Sequence, residues 1–289
     1  MKKIIFYFIF SSLLLCMGVQ TMYVPQSASL LANSSTGIAQ HYSVNPANVY
    51  KTGQFFSFSK NDWFVDTKGQ KISYLFKTKN NHKSYFSVET LINDKIPIYG
   101  TVANDSPLGY FDTYWHSVEY SQAYHLDKLF DLKTNILIGY KIKLNLSKLY
   151  AKNIINYSFD VGFNKLFSEN FSLGFVVNNL SSNFSSSTNN LYSDNPFPGI
   201  GLNYKIPKAY LDFSIDLLYR NNYYIKKVSL NTLFSYANVI LGLSEADNYS
   251  DFSYGISFTF KDWKIIYASL IHEDSSLGTP TSIEISKYF

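Results

Sequence analysis

The chain has 289 residues, 46% of them hydrophobic and only 16% charged, with a net charge of +4. The positive charges are dispersed, with no basic run, and this excludes nucleic acid as an expected partner. The aromatic share of 18%, with 25 Tyr and 24 Phe, fits strands that turn one face to lipid and the other to water. Tyrosine suits the boundary between the two, where its ring is buried and its hydroxyl stays wet.

Residues 1–20 read as an export signal. Lys2-Lys3 form a positive start, Ile4 to Leu15 an apolar core, and small or polar residues follow around Gly18 and Gln20, where cleavage is expected. The apolar core is shorter than the ~20 residues needed to span a bilayer as a helix. No later segment reaches the ~18 consecutive apolar residues of such a span either. Cys16 is the sole cysteine, and removal of the signal leaves a mature chain without disulfide, thiolate metal site or cysteine nucleophile.

Residues 21–52 do not alternate as a strand. Ala28, Leu30, Leu31, Ala32, Gly37, Ile38 and Ala39 have loosely helical spacing, and the turn sequence Asn45-Pro46-Ala47-Asn48 follows. One or two short helices are expected here, forming a plug segment ahead of the first strand.

Residues 53–289 contain about 14 strand candidates by period-two matching. They fall near 53–60, 70–78, 83–91, 112–124, 132–144, 154–166, 171–179, 198–206, 209–219, 226–235, 238–244, 251–260, 262–271 and 281–289. The expected fold is therefore all-β: a transmembrane antiparallel barrel of about 14 strands with a short helical N-terminal plug segment. An even strand number places both barrel ends on one side of the membrane. Near-minimal turns at Pro207-Lys208, Tyr236-Ala237 and Lys261 alternate with open stretches at Leu180–Pro196, Arg220–Ile225, Glu245–Ser250 and His272–Pro280. Short periplasmic turns and longer extracellular loops predict that alternation. Asn61–Gly69 and Ile92–Phe111 are expected as further outer loops.

A charge on the lipid face near mid-bilayer costs roughly 2–4 kcal/mol. Lys141, Lys143, Asp160, Asp212 and Asp216 oppose the apolar face of their strands, so they are expected in the lumen. Phe289 ends the chain on an aromatic strand and resembles the signal by which outer-membrane barrels are recognised by their assembly machinery.

No catalytic, metal or cofactor site is expected. His116 and Glu119 are three apart in a strand and point to opposite faces. Glu245, Asp247 and Asp251 lack the spacing of a calcium loop. Asp212 and Asp216 share a face but sit roughly 13 Å apart at ~3.3 Å rise per residue, too far for paired acid–base work. No G-x-S-x-G, H-E-x-x-H or phosphate-cradling glycine loop is present.

Three stretches resemble one known family. They are Ser27 to Asn33 running on to Tyr42 to Val49, then Lys95 to Gly100 with Gly109 to Asp112, and Leu173 to Leu180. The first is similar to an N-terminal block that ends in an asparagine–proline–alanine turn before strand one. The resemblance is to the PorV/PorQ-type outer-membrane proteins of the type IX secretion system, relatives of the FadL-type long-chain fatty-acid transporters. It implies a barrel in outer-membrane lipid that binds secreted cargo proteins or translocon subunits through its outer loops and performs no chemistry. The block departs from the family where Gln40-His41-Tyr42-Ser43 stands in place of an acidic pair. The alternative the resemblance carries is a transporter of hydrophobic solutes. The predicted inward set of Ser, Asn, Asp, Lys and Gly disfavours a continuous apolar pocket for it.

Overall fold

Period-two alternation of apolar and small polar residues recurs along most of the chain, and in the computed structural model it closes a sheet on itself. The structure describes residues 24–64, 66–78, 82–99, 106–127, 134–149, 152–180, 196–247, 249–273 and 278–289. The strands are β1 (Phe55–Asp62), β2 (Lys68–Lys77), β3 (Lys83–Ile98), β4 (Gly109–His125), β5 (Ile136–Leu149), β6 (Lys152–Leu166) and β7 (Phe171–Asn178). They continue as β8 (Phe197–Ile206), β9 (Leu211–Arg220), β10 (Tyr223–Thr232), β11 (Ala237–Ala246), β12 (Tyr249–Phe260), β13 (Trp263–His272) and β14 (Thr281–Tyr288). Each pairs antiparallel with its sequence neighbours, and β1 pairs with β14, so the barrel has no edge. The end where β1 begins and β14 finishes is called proximal, the other distal.

The alternation sorts side chains as the lipid argument requires. Ile142, Leu144, Phe163, Phe175, Ile215, Leu217, Leu243, Ile256 and Ile283 lie exposed on the outer wall. Ser57, Ser59, Ser121, Ser158, Ser214, Ser229 and Ser253 are buried on the inner wall. Aromatic side chains with lysines over them mark the proximal rim, where Lys287 lies over Trp263 and Phe289. Phe289 itself is 70% exposed, and its amide N–H donates to the Gln54 carbonyl at 3.1 Å.

The connections depart from strict alternation. The expected open stretch after Arg220 is a two-residue hairpin in which Asn221 and Asn222 both have positive φ, 49° and 70°. That is the primed geometry matched to the strand twist, and asparagine tolerates it. Only two residues separate β5 from β6 and β11 from β12 at the distal end, whereas ten separate β4 from β5 at the proximal end. Loop length alone therefore does not sort the two ends. Asn61 belongs to β1, where its amide reaches inward to the Gln26 carbonyl. Half of the expected loop Ile92–Phe111 is strand, because β3 continues past a register shift between Asn93 and Ile96. An added residue at a bulge breaks the period that would have revealed it. The expected signal at 1–20, including Cys16, lies outside the described residues, as does 181–195 within the long distal connection.

Residues 24–52 lie inside the barrel. They include a five-residue helix, α1 (Ala28–Ala32), capped by Ser27, and a 3₁₀ turn at Pro46–Tyr50 capped by Asn45. The helix packs on β11 to β14 and the turn on β3 to β6, so the segment crosses from one wall to the other. It starts near the distal end, beside Asn61, and leaves at the proximal end, where Gly53 meets Tyr288.

Candidate functional site

The luminal segment has little regular structure, so its buried backbone groups need partners from elsewhere. The wall supplies them. The Asp216 carboxylate accepts the N–H groups of Gly37 at 2.6 Å and Ile38 at 3.0 Å. The Ala39 carbonyl accepts from Asn164 Nδ2 at 2.7 Å, Ser172 Oγ at 3.0 Å and Lys51 Nζ at 3.0 Å. Asn45 Nδ2 donates to the carbonyls of Ile38 at 2.7 Å and Phe163 at 2.9 Å, while its Oδ1 takes the Ala47 N–H at 3.0 Å. Asn48 closes the set, its Nδ2 donating to the Ile38 carbonyl at 3.0 Å and its Oδ1 accepting from Asn164 at 2.7 Å. Glu284 receives both the N–H and the hydroxyl of Ser29 in the first turn of α1.

Close approach is made possible by wall glycines. Gly139 and Gly162 face each other across β5 and β6, and Gly174 and Gly201 across β7 and β8. A Cβ at Gly139 would lie 2.5 Å from the Pro46 carbonyl carbon. At Gly174 it would overlap the Ile38 carbonyl, and at Gly162 the Asn45 side-chain oxygen. These paired glycines form a trough in which residues 38–47 sit.

The sequence-expected site residues fall into two groups around this seat. Asn45, Pro46, Ala47 and Asn48 are all buried in the trough. Asp212 and Asp216 anchor the segment, Asp212 accepting from Gln40 Nε2 at 2.7 Å. Lys141 is shared, donating to the Ser43 carbonyl at 3.0 Å and pairing with Asp160 at 3.0 Å. Lys143 lies in a network that the sequence reading missed. It reaches Glu89 at 3.3 Å and Glu119 at 3.4 Å, and Glu89 also pairs with Lys71 at 3.0 Å. These partners all stand on inward positions of β2, β3 and β4. A count of charges against strand parity would have found them.

His116 projects outward beside Tyr114, whereas Glu119 is buried in the lumen. Asp251 pairs inward with His272 at 2.8 Å, while Glu245 is exposed on the outer wall. Among the described residues no group of three metal-ligating side chains converges.

The segment lies between two cavities. A proximal one of about 280 Å³ is lined by His41, Tyr42, Phe55, Lys264 and Tyr288. A distal one of about 220 Å³ sets Phe197, Leu218 and Ile225 opposite the charged network of Lys71, Glu89 and Lys143. Val44 and Ile38 of the segment continue the apolar patch. The lumen is thus divided into a charged wall and an apolar one.

Burial, helped by Lys71, Lys264 and Lys141, pushes the His41 imidazole down to about 3. It stays neutral and accepts the Ser43 N–H on Nδ1 at 3.2 Å. The unfolded chain binds this proton near 6.5, so stability should be complete above that value and fall as pH drops toward 3. Because His41 borders the proximal cavity, we expect on the order of 2 kcal/mol between pH 6.5 and 4, less than the full shift implies. Urea titrations in detergent would read it, and His41→Gln should flatten the slope. An unchanged slope in that variant would refute the assignment.

No protein-family model matches the sequence, and a search of curated proteins finds no relative. Solved structures do match. A mutant of the TodX monoaromatic hydrocarbon channel superposes with a TM-score of 0.62 at 10% identity, covering 91% of this chain and 99% of that one. The Pseudomonas putida toluene transporter TodX gives 0.60 at 11% identity, over 90% and 96%. At such identity the likeness is one of fold: a closed barrel like those of bacterial outer-membrane proteins. Nothing found speaks for the PorV/PorQ-type resemblance in particular.

Proposed function

We propose that the protein is a non-enzymatic outer-membrane transporter for small hydrophobic or amphiphilic solutes, with residues 24–52 as its gate. The observation that carries this reading is the seat of that segment between two cavities, the distal one with an apolar wall of Phe197, Leu218 and Ile225. The inward set disfavours a continuous apolar pocket, and the distal cavity carries its apolar residues on one wall. One apolar wall is enough to desolvate the body of a small solute. The fold shared with a toluene transporter supports the same reading. In this view the distal end faces outward, and the exposed Phe289 at the proximal end meets the assembly machinery from the periplasm.

The test is uptake by cells or proteoliposomes carrying the full chain, with toluene and sucrose as probes. Toluene entry should rise several-fold with sucrose unchanged. Equal entry of both, or of neither, would overturn the proposal.

A second reading rests on the long strands β3 to β6, near whose distal ends Tyr99, Leu108 and Tyr110 are exposed. A PorV/PorQ-like component would present such a rim to secreted cargo. Recovery of secreted proteins sharing a C-terminal β-domain from a detergent pull-down, without toluene uptake, would favour it.

A further inference from the structure

Every lysine of the charged wall is matched to a carboxylate, and one lysine of the apolar wall is not. Lys71, Lys141 and Lys143 each lie within 3.4 Å of an acidic oxygen. Lys227 projects into the same cavity from β10. Its cross-strand neighbour Asp216 turns its carboxylate to the N–H groups of Gly37 and Ile38. The next carboxylate along the sheet is Asp251, reached through Ser244 on β11, and it is paired with His272 at 2.8 Å. Lys227 therefore makes no ion pair or hydrogen bond of its own among the described residues, and the two carboxylates that act on its charge from a distance, Asp216 and Asp251, are engaged elsewhere. Arg220 also borders the cavity, its guanidinium held over the Phe197 ring. A charge withdrawn from bulk water without a counter-ion is costly, and a ligand of opposite charge removes that cost.

The surroundings of Lys227 give the rest of the ligand. Ile225 precedes it by two positions on the same face, and Leu218 is cross-strand to Ile225. Phe197 stands at the start of β8, with the Arg220 guanidinium 5.6 Å from its ring centre. An apolar cavity of ~150 Å³ already accepts benzene. A space of about 220 Å³ takes one such ring and a charged group.

We infer that the distal cavity binds a small amphiphilic monocarboxylate, its apolar body against Phe197, Leu218 and Ile225 and its carboxylate on Lys227. This rests on the transporter reading and narrows its solute to an anion. The ligand differs in charge from the hydrocarbons named for the similar channels, and in size from a long-chain acid.

Calorimetric titration of the detergent-solubilised full chain with benzoate, benzyl alcohol and acetate tests it. Benzoate should bind at least tenfold tighter than either of the others, since each lacks one half of the recognition. Lys227→Met should weaken benzoate at least tenfold and leave benzyl alcohol unchanged, and Lys227→Arg should restore most of the loss. Folding of each variant is verified by heat-modifiable gel migration. Benzoate binding that is absent, matched by benzyl alcohol, or indifferent to Lys227→Met would overturn the inference. If toluene uptake persists in any of those cases, the transporter reading stands and the anion specificity alone is lost. If toluene uptake is also missing, both fall.

Discussion

Gly174→Leu should unseat the luminal segment while leaving the barrel closed. A Cβ at this position overlaps the Ile38 carbonyl, with the Ala39 Cα only 2.8 Å away. Something must shift, and the two sides are not equally free to do so. Gly174 is paired across strands with Asn164 and Gly201, so the wall is held from both neighbours. Residues 38–47 are held chiefly by side-chain hydrogen bonds, and these lengthen together when the trough fills. Overpacking of this kind costs roughly 3 kcal/mol, about a hundredfold in the unseated fraction. Protease cleavage within 24–52 should become detectable in the folded protein, and single-channel conductance in planar bilayers should rise. Gly109→Leu is the control, because a Cβ there meets nothing within 4 Å. Full protection of the segment in Gly174→Leu would mean that the trough is not what seats it.

Which parts of this arrangement were legible in the sequence follows from how each is encoded. Strands such as β9 and β12 announce themselves, because one face must be apolar for lipid and the other small and polar. Their predicted and observed limits differ by two residues or fewer, 209–219 against Leu211–Arg220 and 251–260 against Tyr249–Phe260. The rule failed where geometry interrupts the period. Alternation predicts β5 from 132, but the strand begins at Ile136, just after Asn135 takes a positive φ of 49°. Strand alternation alone makes the Asn221-Asn222 hairpin an open loop, although the pair carries a primed-turn signal. The Asn45-Pro46-Ala47-Asn48 turn was visible as a turn, but its role as the buried anchor of the segment was not. That role depends on Asn164, Gly139 and Gly162, which are more than 80 residues away in sequence. Nothing local marks a glycine as a seat for distant backbone rather than as a gap in a strand. The Phe197 to Leu218 to Ile225 patch was hidden for a different reason. Apolar residues on inward positions look like lapses in the pattern until the lumen is known to enclose a segment and a cavity.

Glu89→Gln should be the most damaging single change among the luminal charges. The carboxylate is 2% exposed and bridges two ammonium groups, Lys71 at 3.0 Å and Lys143 at 3.3 Å. Removing its charge leaves Lys143 with Glu119 at 3.4 Å but leaves Lys71 without an ion-pair partner among the described residues. Breaking a buried pair from one side costs about 3–5 kcal/mol, because the remaining charge stays uncompensated. The network borders the distal cavity, where water can reach it, so about 2–3 kcal/mol is the expectation in urea-dependent folding. Lys71→Met alone removes a cation from a carboxylate that still has Lys143, and should cost less. The double variant Lys71→Met, Glu89→Gln should recover part of the Glu89→Gln loss, giving a coupling energy above 0.5 kcal/mol. Additive losses would show that the pair is not an energetic unit. Glu89→Gln also removes a negative charge from the lining of the distal cavity, so benzoate should bind it several-fold more tightly than it binds the parent protein. Weaker benzoate binding in a folded Glu89→Gln variant would place the carboxylate elsewhere than on Lys227.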